Sequence, residues 1–222
     1  MKKTLLACFI ASASCSASAD FLFGGDVEAN IWQQNLTYKG NGIDQEDEQT
    51  AYTFEVSLEH FIPLIPNPKI AQSSVEGKDF EYTKRDLTLY YEFLDNDLIS
   101  ADAGIGITQL NDGLVKDLSG NWSSTSGVIP HVYGALEIGI PATPLFVYAK
   151  GTGFAYEDNR MLDVSAGVQY SIPLALVDLE LQVGYRTQEF ELDSFDIFSI
   201  DVQRIDLHSE VKGLFAGVNI DF

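Results

Sequence analysis

Hydrophobic and polar residues alternate with a period of two along most of the chain. In segment 162–170 one parity is apolar and the other is polar or small: Leu162, Val164, Ala166, Val168 and Tyr170 against Asp163, Ser165, Gly167 and Gln169. Segments 52–59, 99–108 and 179–186 repeat the pattern. Because a strand points successive side chains to opposite faces, each segment predicts a strand with one apolar and one polar face. No helical periodicity competes with this pattern, so the predicted fold class is all-β.

The number of strands and the lengths of their connections indicate a closed barrel. Six further segments alternate more weakly, at 21–33, 69–76, 80–94, 129–140, 145–156 and 204–222. Together with the four clear segments they predict ten strands, and eight strands remain the alternative. Long polar stretches at 34–49, 110–127 and 190–203 take turns with compact connections at 62–68, 95–97, 141–144 and 172–173. This is typical of a transmembrane antiparallel β-barrel with short periplasmic turns and longer extracellular loops. Both termini are then expected to be periplasmic.

Aromatic residues on the apolar faces favour contact with lipid over a packed soluble interior. Toward the turns lie Phe21, Phe23, Tyr91, Phe93, Tyr170 and Phe222, and toward the long loops lie Tyr52 and Tyr185. The positions between these two levels are Val, Ala, Leu and Ile. Two aromatic levels around an aliphatic band are typical of the girdles of a membrane barrel.

The N-terminal segment 1–19 has the features of a secretory signal peptide. Lys2 and Lys3 precede an apolar run, and Ala17-Ser18-Ala19 offers an A-x-A cleavage site before Asp20. Cleavage there removes both cysteines of the chain and leaves 20–222 as a single barrel domain. The mature protein is therefore expected to have no disulfide and no thiolate chemistry.

The chain ends in an amphipathic strand. One face carries Leu214, Ala216, Val218, Ile220 and Phe222. A final strand with a terminal Phe is similar to the signal that the barrel-assembly machinery recognises, and its physical basis is an unpaired edge with a lipid-compatible face. The apolar residues before it, Ile205, Leu207 and Val211, use the other parity, which predicts a β-bulge near Gly213.

Segment 54–68, with the sequence FEVSLEHFIPLIPNP, resembles a family of small proteobacterial outer-membrane β-barrel proteins without an assigned activity. The resemblance extends over the mature chain. It implies a barrel in the cell outer membrane, with outer-membrane lipid, lipopolysaccharide, periplasmic chaperones and the barrel-assembly machinery as partners. It implies no functional residues.

Composition narrows the partners further. The chain has 13 Lys and Arg against 33 Asp and Glu, a formal net charge of −20, so nucleic acid is excluded as a partner. With 45% hydrophobic residues the chain is too rich in core formers to be disordered. Arg85 and Arg160, near the long loops, are candidates for contact with lipopolysaccharide phosphates.

If the apolar faces meet lipid, the opposite parity fills the lumen with charge. The acidic residues of this set are Asp26, Glu28, Glu55, Glu59, Asp86, Glu92, Asp102, Glu137, Asp163, Glu180, Asp206 and Glu210. The basic residues are Lys84, Lys150, Arg186 and Lys212, with His131 and His208 as possible additions. This excess of carboxylates indicates either a polar, ion-paired filling or a small pore that prefers cations. A ten-stranded barrel is only slightly wider than one whose side chains fill it, so occlusion is expected.

Three functional interpretations remain open. The first is an integral outer-membrane barrel with a structural or surface-interaction role, or a small cation-preferring pore. The second is a lipocalin-like periplasmic ligand-binding barrel. The third and weakest is a hydrolase at the outer rim, in which His131 approaches Asp112 or Asp158.

Strand geometry argues against a hydrolase. His208 and Ser209 are adjacent and point to opposite faces, and the predicted strands are too short to project beyond a membrane as those of omptin-type proteases do. We therefore expect no enzyme activity and no catalytic residues. The acidic segments lack the glycine and spacing of a calcium loop, so we also expect no metal site and no cofactor.

Overall fold

A computed structural model describes the protein over residues 23–40, 43–62, 64–78, 80–96, 98–116, 122–192, 196–197, 200–201 and 207–222. The expected signal peptide, 1–19, lies outside the described residues. The strands are β1 Phe23–Gly40, β2 Ile43–His60, β3 Asn67–Glu76, β4 Phe80–Asn96, β5 Ile99–Lys116, β6 Trp122–Gly139, β7 Leu145–Tyr156, β8 Asn159–Pro173, β9 Asp178–Leu192, β10 Asp196–Ile197, β11 Ile200–Asp201 and β12 Leu207–Asp221. Among the described residues, no helix is long and apolar enough to cross a membrane.

Ten of these strands form one closed antiparallel barrel, which confirms the predicted fold class and strand number. The order around the wall is β1-β12-β9-β8-β7-β6-β5-β4-β3-β2, and β10 pairs with β11 as a separate hairpin. Closure joins the two ends of the chain, because the Gly25 amide donates to the Phe222 carbonyl at 2.9 Å and the Phe222 amide donates back at 3.1 Å. We call this end of the barrel, where β2–β3, β4–β5, β6–β7 and β8–β9 are joined, the turn end, and the opposite end the loop end.

An apolar band surrounds the turn-end half of the outer surface. On β1 the outward residues Phe23, Val27, Ala29 and Ile31 belong to it, and Phe23 and Ile31 are exposed. The predicted aromatic levels lie on this surface, with Tyr91, Phe93, Tyr170 and Phe222 exposed near one edge and Tyr52 and Tyr185 near the other. A continuous apolar surface with residues as exposed as Phe93, at 68%, would be unfavourable in water.

The two faces exchange character halfway along the barrel. On β4 the outward residues are Leu87 and Leu89 below the midpoint but Arg85 and Thr83 above it. The inward residues change in the opposite sense, from Thr88 and Asp86 to Tyr82 and Phe80, all of them buried. The same exchange occurs on β1 after Ile31 and on β9 after Arg186. The loop-end half is therefore built as a water-soluble barrel, with a polar exterior and an apolar interior.

The expectation of long loops is wrong for most of the loop end. The stretches 34–49 and 110–127 are mainly strand, since β1 and β2 pair as far as Gly40↔Ile43 and β5 and β6 as far as Lys116↔Trp122. In the third stretch, 190–203, the described residues 190–192, 196–197 and 200–201 belong to β9, β10 and β11, and the others lie outside the described residues. In these strand extensions the outward residues are polar and the inward residues apolar, which is the reverse of the pattern in the band. In the sequence this change of pattern is similar to a polar loop. The statement that the strands are too short to leave a membrane is wrong for the same reason, because five of them have 17 or 18 residues.

The β-bulge predicted near Gly213 is also wrong. Pairing of β12 with β9 runs without a register shift from Leu207↔Leu192 to Asp221↔Asp178. Val211 points inward and is buried, because the interior is apolar at that height. The glycine is required by a close approach instead, since a Cβ at Gly213 would collide with the carbonyl oxygen of Gln33 on β1.

Candidate functional site

The barrel interior is the candidate site, and its side chains form four levels. From the loop end these are an apolar core, a cluster centred on Asp163, a cluster centred on Lys150, and an acidic chamber at the turn end. Each level is built by inward residues of several strands, so that residues far apart in sequence meet inside the wall.

The apolar core fills the loop-end half. It consists of Trp32, Leu36, Tyr38, Val75, Phe80, Tyr82, Leu110, Ile129, Tyr148, Met161, Phe190, Leu192, Val211 and Phe215. Trp32, Tyr38 and Phe190 are completely shielded from solvent. Tyr38 stacks on Phe80 with ring centroids 5.0 Å apart, and Tyr82 meets the edge of Phe190 at 5.5 Å. Because these side chains pack against one another and are shielded from solvent, they close the lumen at this level.

Asp163 on β8 is the centre of the next level. Its carboxylate accepts two hydrogen bonds from the Arg186 guanidinium, at 2.8 and 2.7 Å, and forms an ion pair with Lys84 at 2.9 Å. The Gln188 side-chain amide donates to it at 2.9 Å. Lys84 also pairs with Asp86. The Arg186 guanidinium lies 4.8 Å from the centre of the Trp32 ring, so this cluster is capped by the apolar core.

His131 belongs to the same level rather than to the rim. It is buried, with Nε2 2.9 Å from the Thr88 hydroxyl and Nδ1 2.9 Å from the Thr108 hydroxyl. Thr108 uses its one hydroxyl hydrogen on Asp86 at 2.6 Å. Nδ1 of His131 must then donate to Thr108, and Nε2 of the neutral ring accepts from Thr88. These contacts occupy both ring nitrogens.

The third level holds two lysines between two glutamates. Lys150 pairs with Glu28 at 2.7 Å and with Glu55 at 2.8 Å, and Lys69 pairs with Glu55 at 2.8 Å. Lys69 also donates to the Tyr133 hydroxyl at 2.7 Å and lies 4.6 Å from the centre of that ring. These residues come from five strands, so the cluster ties distant parts of the wall together.

The fourth level, the acidic chamber, has a volume of about 240 Å³. Its carboxylates beyond the third level are Asp26, Glu59, Glu92, Asp95, Asp102, Glu137, Glu180 and Asp221. Within the described parts of the chain, none of these eight forms an ion pair with a lysine or arginine. Neutral donors contact them instead: Asn219 donates to both Asp26 and Glu180 at 2.8 Å. Each ionised carboxylate among them contributes a negative potential that the low-dielectric wall strengthens.

The structure places the sequence-predicted charges as follows. Inside the barrel lie Asp26, Glu28, Glu55, Glu59, Lys84, Asp86, Asp102, Glu137, Lys150, Asp163, Glu180 and Arg186. Glu210 and Lys212, predicted to be inside, pair with each other on the outer face, with side chains 41% and 44% exposed. Asp206 lies outside the described residues.

Lys69 was missed because β3 has the weakest alternation. The signal that could have found it is the run Asn67, Lys69, Ala71 and Ser73 opposite the single exposed apolar Ile70. The terminal set Leu214, Ala216, Val218, Ile220 and Phe222 lies on the outer face of β12, between β1 and β9.

The structure does not place His131 at the rim, as the hydrolase hypothesis requires. His131 is held inside the lumen by two threonines, and the side chain of Asp112 lies outside the described residues. His208 points outward and Ser209 inward, so these two do not meet. Among the described residues, no three His, Cys, Asp or Glu side chains are grouped closely enough to hold a metal ion.

Comparisons with known proteins agree in general architecture only. No protein-family model and no curated protein matches the chain. Matching solved structures include Neisserial surface protein A (13% identity, TM-score 0.37, 90% of this chain and 97% of that one). A FadL homologue of Pseudomonas aeruginosa matches at 10% identity and TM-score 0.39, over 90% of each chain. The outer membrane protease OmpT of Escherichia coli matches at 8% and 0.30, over 90% of this chain and 96% of that one. Similarities this low say nothing about ligand or activity.

Proposed function

We propose that the protein is an integral outer-membrane barrel whose turn-end half spans the bilayer and whose loop-end half projects from it. The observation that carries the proposal is the exchange of faces halfway along the strands. On β1 the apolar band covers nine residues, 23–31. Nine residues at about 3.3 Å each, tilted by about 40°, span about 23 Å, close to the apolar height of outer-membrane barrels. The remaining nine residues of β1, 32–40, then extend beyond the lipid.

The same observation disfavours a soluble ligand-binding barrel. A lipocalin-like protein would point its apolar parity inward along the whole strand. Here Ile105 and Val132 are 68% and 63% exposed on the outside, while Asp163 and Glu180 are buried inside the same half of the barrel. A barrel in water would not bury charge and expose aliphatic residues in the same layer.

We infer that the role is structural or a matter of surface interaction, because the lumen is closed. The apolar core lies at the end that would face the exterior, and the Asp163 cluster seals it from below. Surface-exposed parts would be the loop-end hairpins, such as the turn at Glu157 between β7 and β8. Lipid and lipopolysaccharide would contact the band and its upper edge, where Arg85 and Arg160 lie.

A small cation-preferring pore is the second candidate, and the acidic chamber favours it. Eight carboxylates without basic partners at the turn end would attract cations from the periplasm. The closed core above the chamber opposes conduction, so this candidate requires an opening of the loop-end half.

The proposed location and orientation can be tested in a Gram-negative host. An epitope inserted after Glu157 should be reached by antibody on intact cells, while one inserted between Asp20 and Phe23 should be reached only after permeabilisation. The protein should fractionate with the outer membrane and migrate differently on gels when heated. A detergent-free soluble fraction, or the reverse pattern of epitope access, would overturn the proposal.

A further inference from the structure

The barrel wall is incomplete between β6 and β7. Their pairing covers eight residue pairs, from Gly139↔Phe146 to Val132↔Gly153. Above that point β6 continues to Trp122 paired with β5, and β7 continues to Tyr156 paired with β8. Over the described residues, the two strands thus separate within the upper part of the apolar band.

The sequence explains why pairing stops. Continuing the register would place Pro130 opposite Ala155. Proline has no amide hydrogen and cannot donate to the ladder. The outward residues at the separation are small, since Gly153 and Ala155 leave space that a larger side chain would fill. A Cβ added at Gly153 would meet no atom closer than 3.8 Å.

The separation opens a groove of about 930 Å³ on the outer surface. Its sides are aliphatic residues of the band, Leu87, Ile105, Ile107, Val132 and Leu162. Its floor is the inward, half-buried Phe154, which packs against the apolar core, and beneath it lies Met161, which is 1% exposed. The groove therefore brings the lipid-facing surface to the edge of the core of the loop-end half.

The other weak seam, between β2 and β3, differs. It has five residue pairs, but Gln34 reaches it from the interior and donates to the Ser74 carbonyl at 2.9 Å. The outward residues above it, Gln72, Ser74 and Glu76, are polar. That seam lies above the band and offers no apolar surface, so the β6–β7 groove is a distinct feature.

We propose that the β6–β7 groove binds one acyl chain of an anionic membrane lipid, with the lipid phosphate near Arg160. This rests on the proposed membrane location of the band. The groove opens toward the band, is aliphatic, and ends at the height where Leu162 gives way to Arg160 on the outer face of β8. The Arg160 side chain is 53% exposed and has one long ion pair, 3.6 Å to Glu189, so its guanidinium can also meet a phosphate.

Photo-crosslinking in vesicles tests this proposal. The mature chain is refolded into phosphatidylcholine vesicles that contain phosphatidylglycerol with a diazirine in its acyl chain, and labelled residues are mapped by mass spectrometry. Bulk lipid can label outward residues around the band, such as Val183 and Val218, but it cannot reach an inward side chain through a complete wall. Labelling of Phe154 in addition to the band is the expected result.

Two glycine variants provide a matched pair. Gly153→Trp should fill the groove and abolish labelling of Phe154 while labelling of Val183 remains. Gly134→Trp adds the same side chain to the outer face of β6 outside the groove, where a Cβ would meet no atom closer than 3.9 Å. It should leave the labelling of Phe154 unchanged. Heat-dependent gel mobility checks that both variants fold.

Headgroup preference is measured with the same diazirine chain on phosphatidylcholine. Phosphatidylglycerol should label Phe154 about twofold to fivefold more strongly, as expected for one exposed ion pair, and Arg160→Gln should remove the difference. Absence of labelling at Val183 and Val218 would overturn the proposed membrane band itself. Band labelling without Phe154 would overturn the groove proposal alone. If a free diazirine fatty alcohol labels Phe154 but the phospholipids do not, the occupant is a diffusible apolar molecule and the lipid assignment is wrong.

Discussion

At the scale of single residues, the interior is stabilised by charges that are expensive to bury alone. Lys84 is 1% exposed and lies between Asp86 and Asp163, while Arg186 neutralises Asp163 from the other side. Such clusters add little net stability compared with apolar residues of the same size, but removing one partner leaves a buried charge uncompensated. Each residue of the cluster is therefore expected to be sensitive to substitution.

Lys84→Met should lower the free energy of unfolding by about 3–5 kcal/mol, because it leaves Asp86 with hydrogen bonds only in a buried site. The control is Lys212→Met, which removes the exposed ion pair with Glu210 at 2.9 Å and should cost less than about 1 kcal/mol. Urea titrations of both variants in lipid vesicles measure the difference. Equal losses would show that the Asp163 cluster does not lie in a low-dielectric interior.

Gly213 should not tolerate any side chain. Gly213→Ala forces a methyl group onto the Gln33 carbonyl and should cost about 1–3 kcal/mol as overpacking. Gly134→Ala, with open space around its Cβ, serves as the control and should be close to neutral. The same unfolding titration measures both variants. If Gly213→Ala does not change the free energy of unfolding, β12 does not approach Gln33 closely at this position, and a β-bulge there becomes possible again.

At the scale of the strand, sequence alternation predicts the turn-end half well and the loop-end half poorly. The band segments on β8 and β9 keep one phase, and they were found with both faces assigned correctly. Above the band the phase reverses, since Tyr82 and Phe190 point inward on the parity that carries charge in the turn-end half. A sequence search that keeps the apolar residues on one parity therefore ends where the parity changes. The rest of the strand is then mistaken for an acidic loop.

The same reversal explains which site residues could be predicted. Inward charges in the turn-end half, such as Glu55 and Glu180, follow from parity alone. Glu210 and Lys212 were misplaced because they stand above the reversal on β12. The pairing of Lys150 with Glu28 and Glu55 depends on which strands face each other across the lumen, and period-two alternation holds no information about that distance.

An arginine scan should reproduce the exchange of faces. Val183→Arg, in the band, should cost about 2–4 kcal/mol, as expected for a cation on the lipid face. Thr83→Arg, on the outer face of β4 above the band, should cost less than about 1 kcal/mol because it stays in water. Tyr82→Arg, one residue away but inward, should be costly again. Refolding titrations in vesicles give the order, and equal tolerance at Val183 and Thr83 would contradict the boundary.

The contact that closes the barrel between β1 and β12 includes Phe222, the residue that follows β12. Deletion of Phe222 removes both backbone hydrogen bonds to Gly25 and an aromatic side chain from the turn-end edge of the band. The variant should be degraded or accumulate unfolded in the periplasm, which immunoblots of cell fractions can show. Phe222→Tyr keeps the backbone and the ring and should assemble normally. Normal amounts of heat-modifiable barrel after the deletion would show that the last strand is not needed for assembly.

At the scale of the whole molecule, the chain is two barrels of opposite polarity that share the same strands. The turn-end barrel is apolar outside and charged inside, and the loop-end barrel is the reverse. The two interiors are in direct contact, because the Arg186 guanidinium that pairs with Asp163 also packs on the Trp32 ring of the apolar core. The charged interior of the turn-end half is thereby closed on one side by the apolar core of the loop-end half, which we call the plug.

The plug leads to a prediction about conductance that combines both halves. The wild-type protein should be electrically silent in planar bilayers, because Trp32, Tyr38 and Phe190, which are completely shielded from solvent, pack inside the loop-end half. Joint Trp32→Ala and Phe190→Ala substitution should admit water to the Asp163 cluster and allow a small current. That current should prefer cations, since eight carboxylates without basic partners line the chamber below, and replacing Asp102, Glu137 and Glu180 by amides should weaken the preference. Reversal potentials under a salt gradient give the sign. An anion-selective current would contradict the inward placement of the carboxylates, and steady wild-type conductance would show that the core is not a plug and favour the pore.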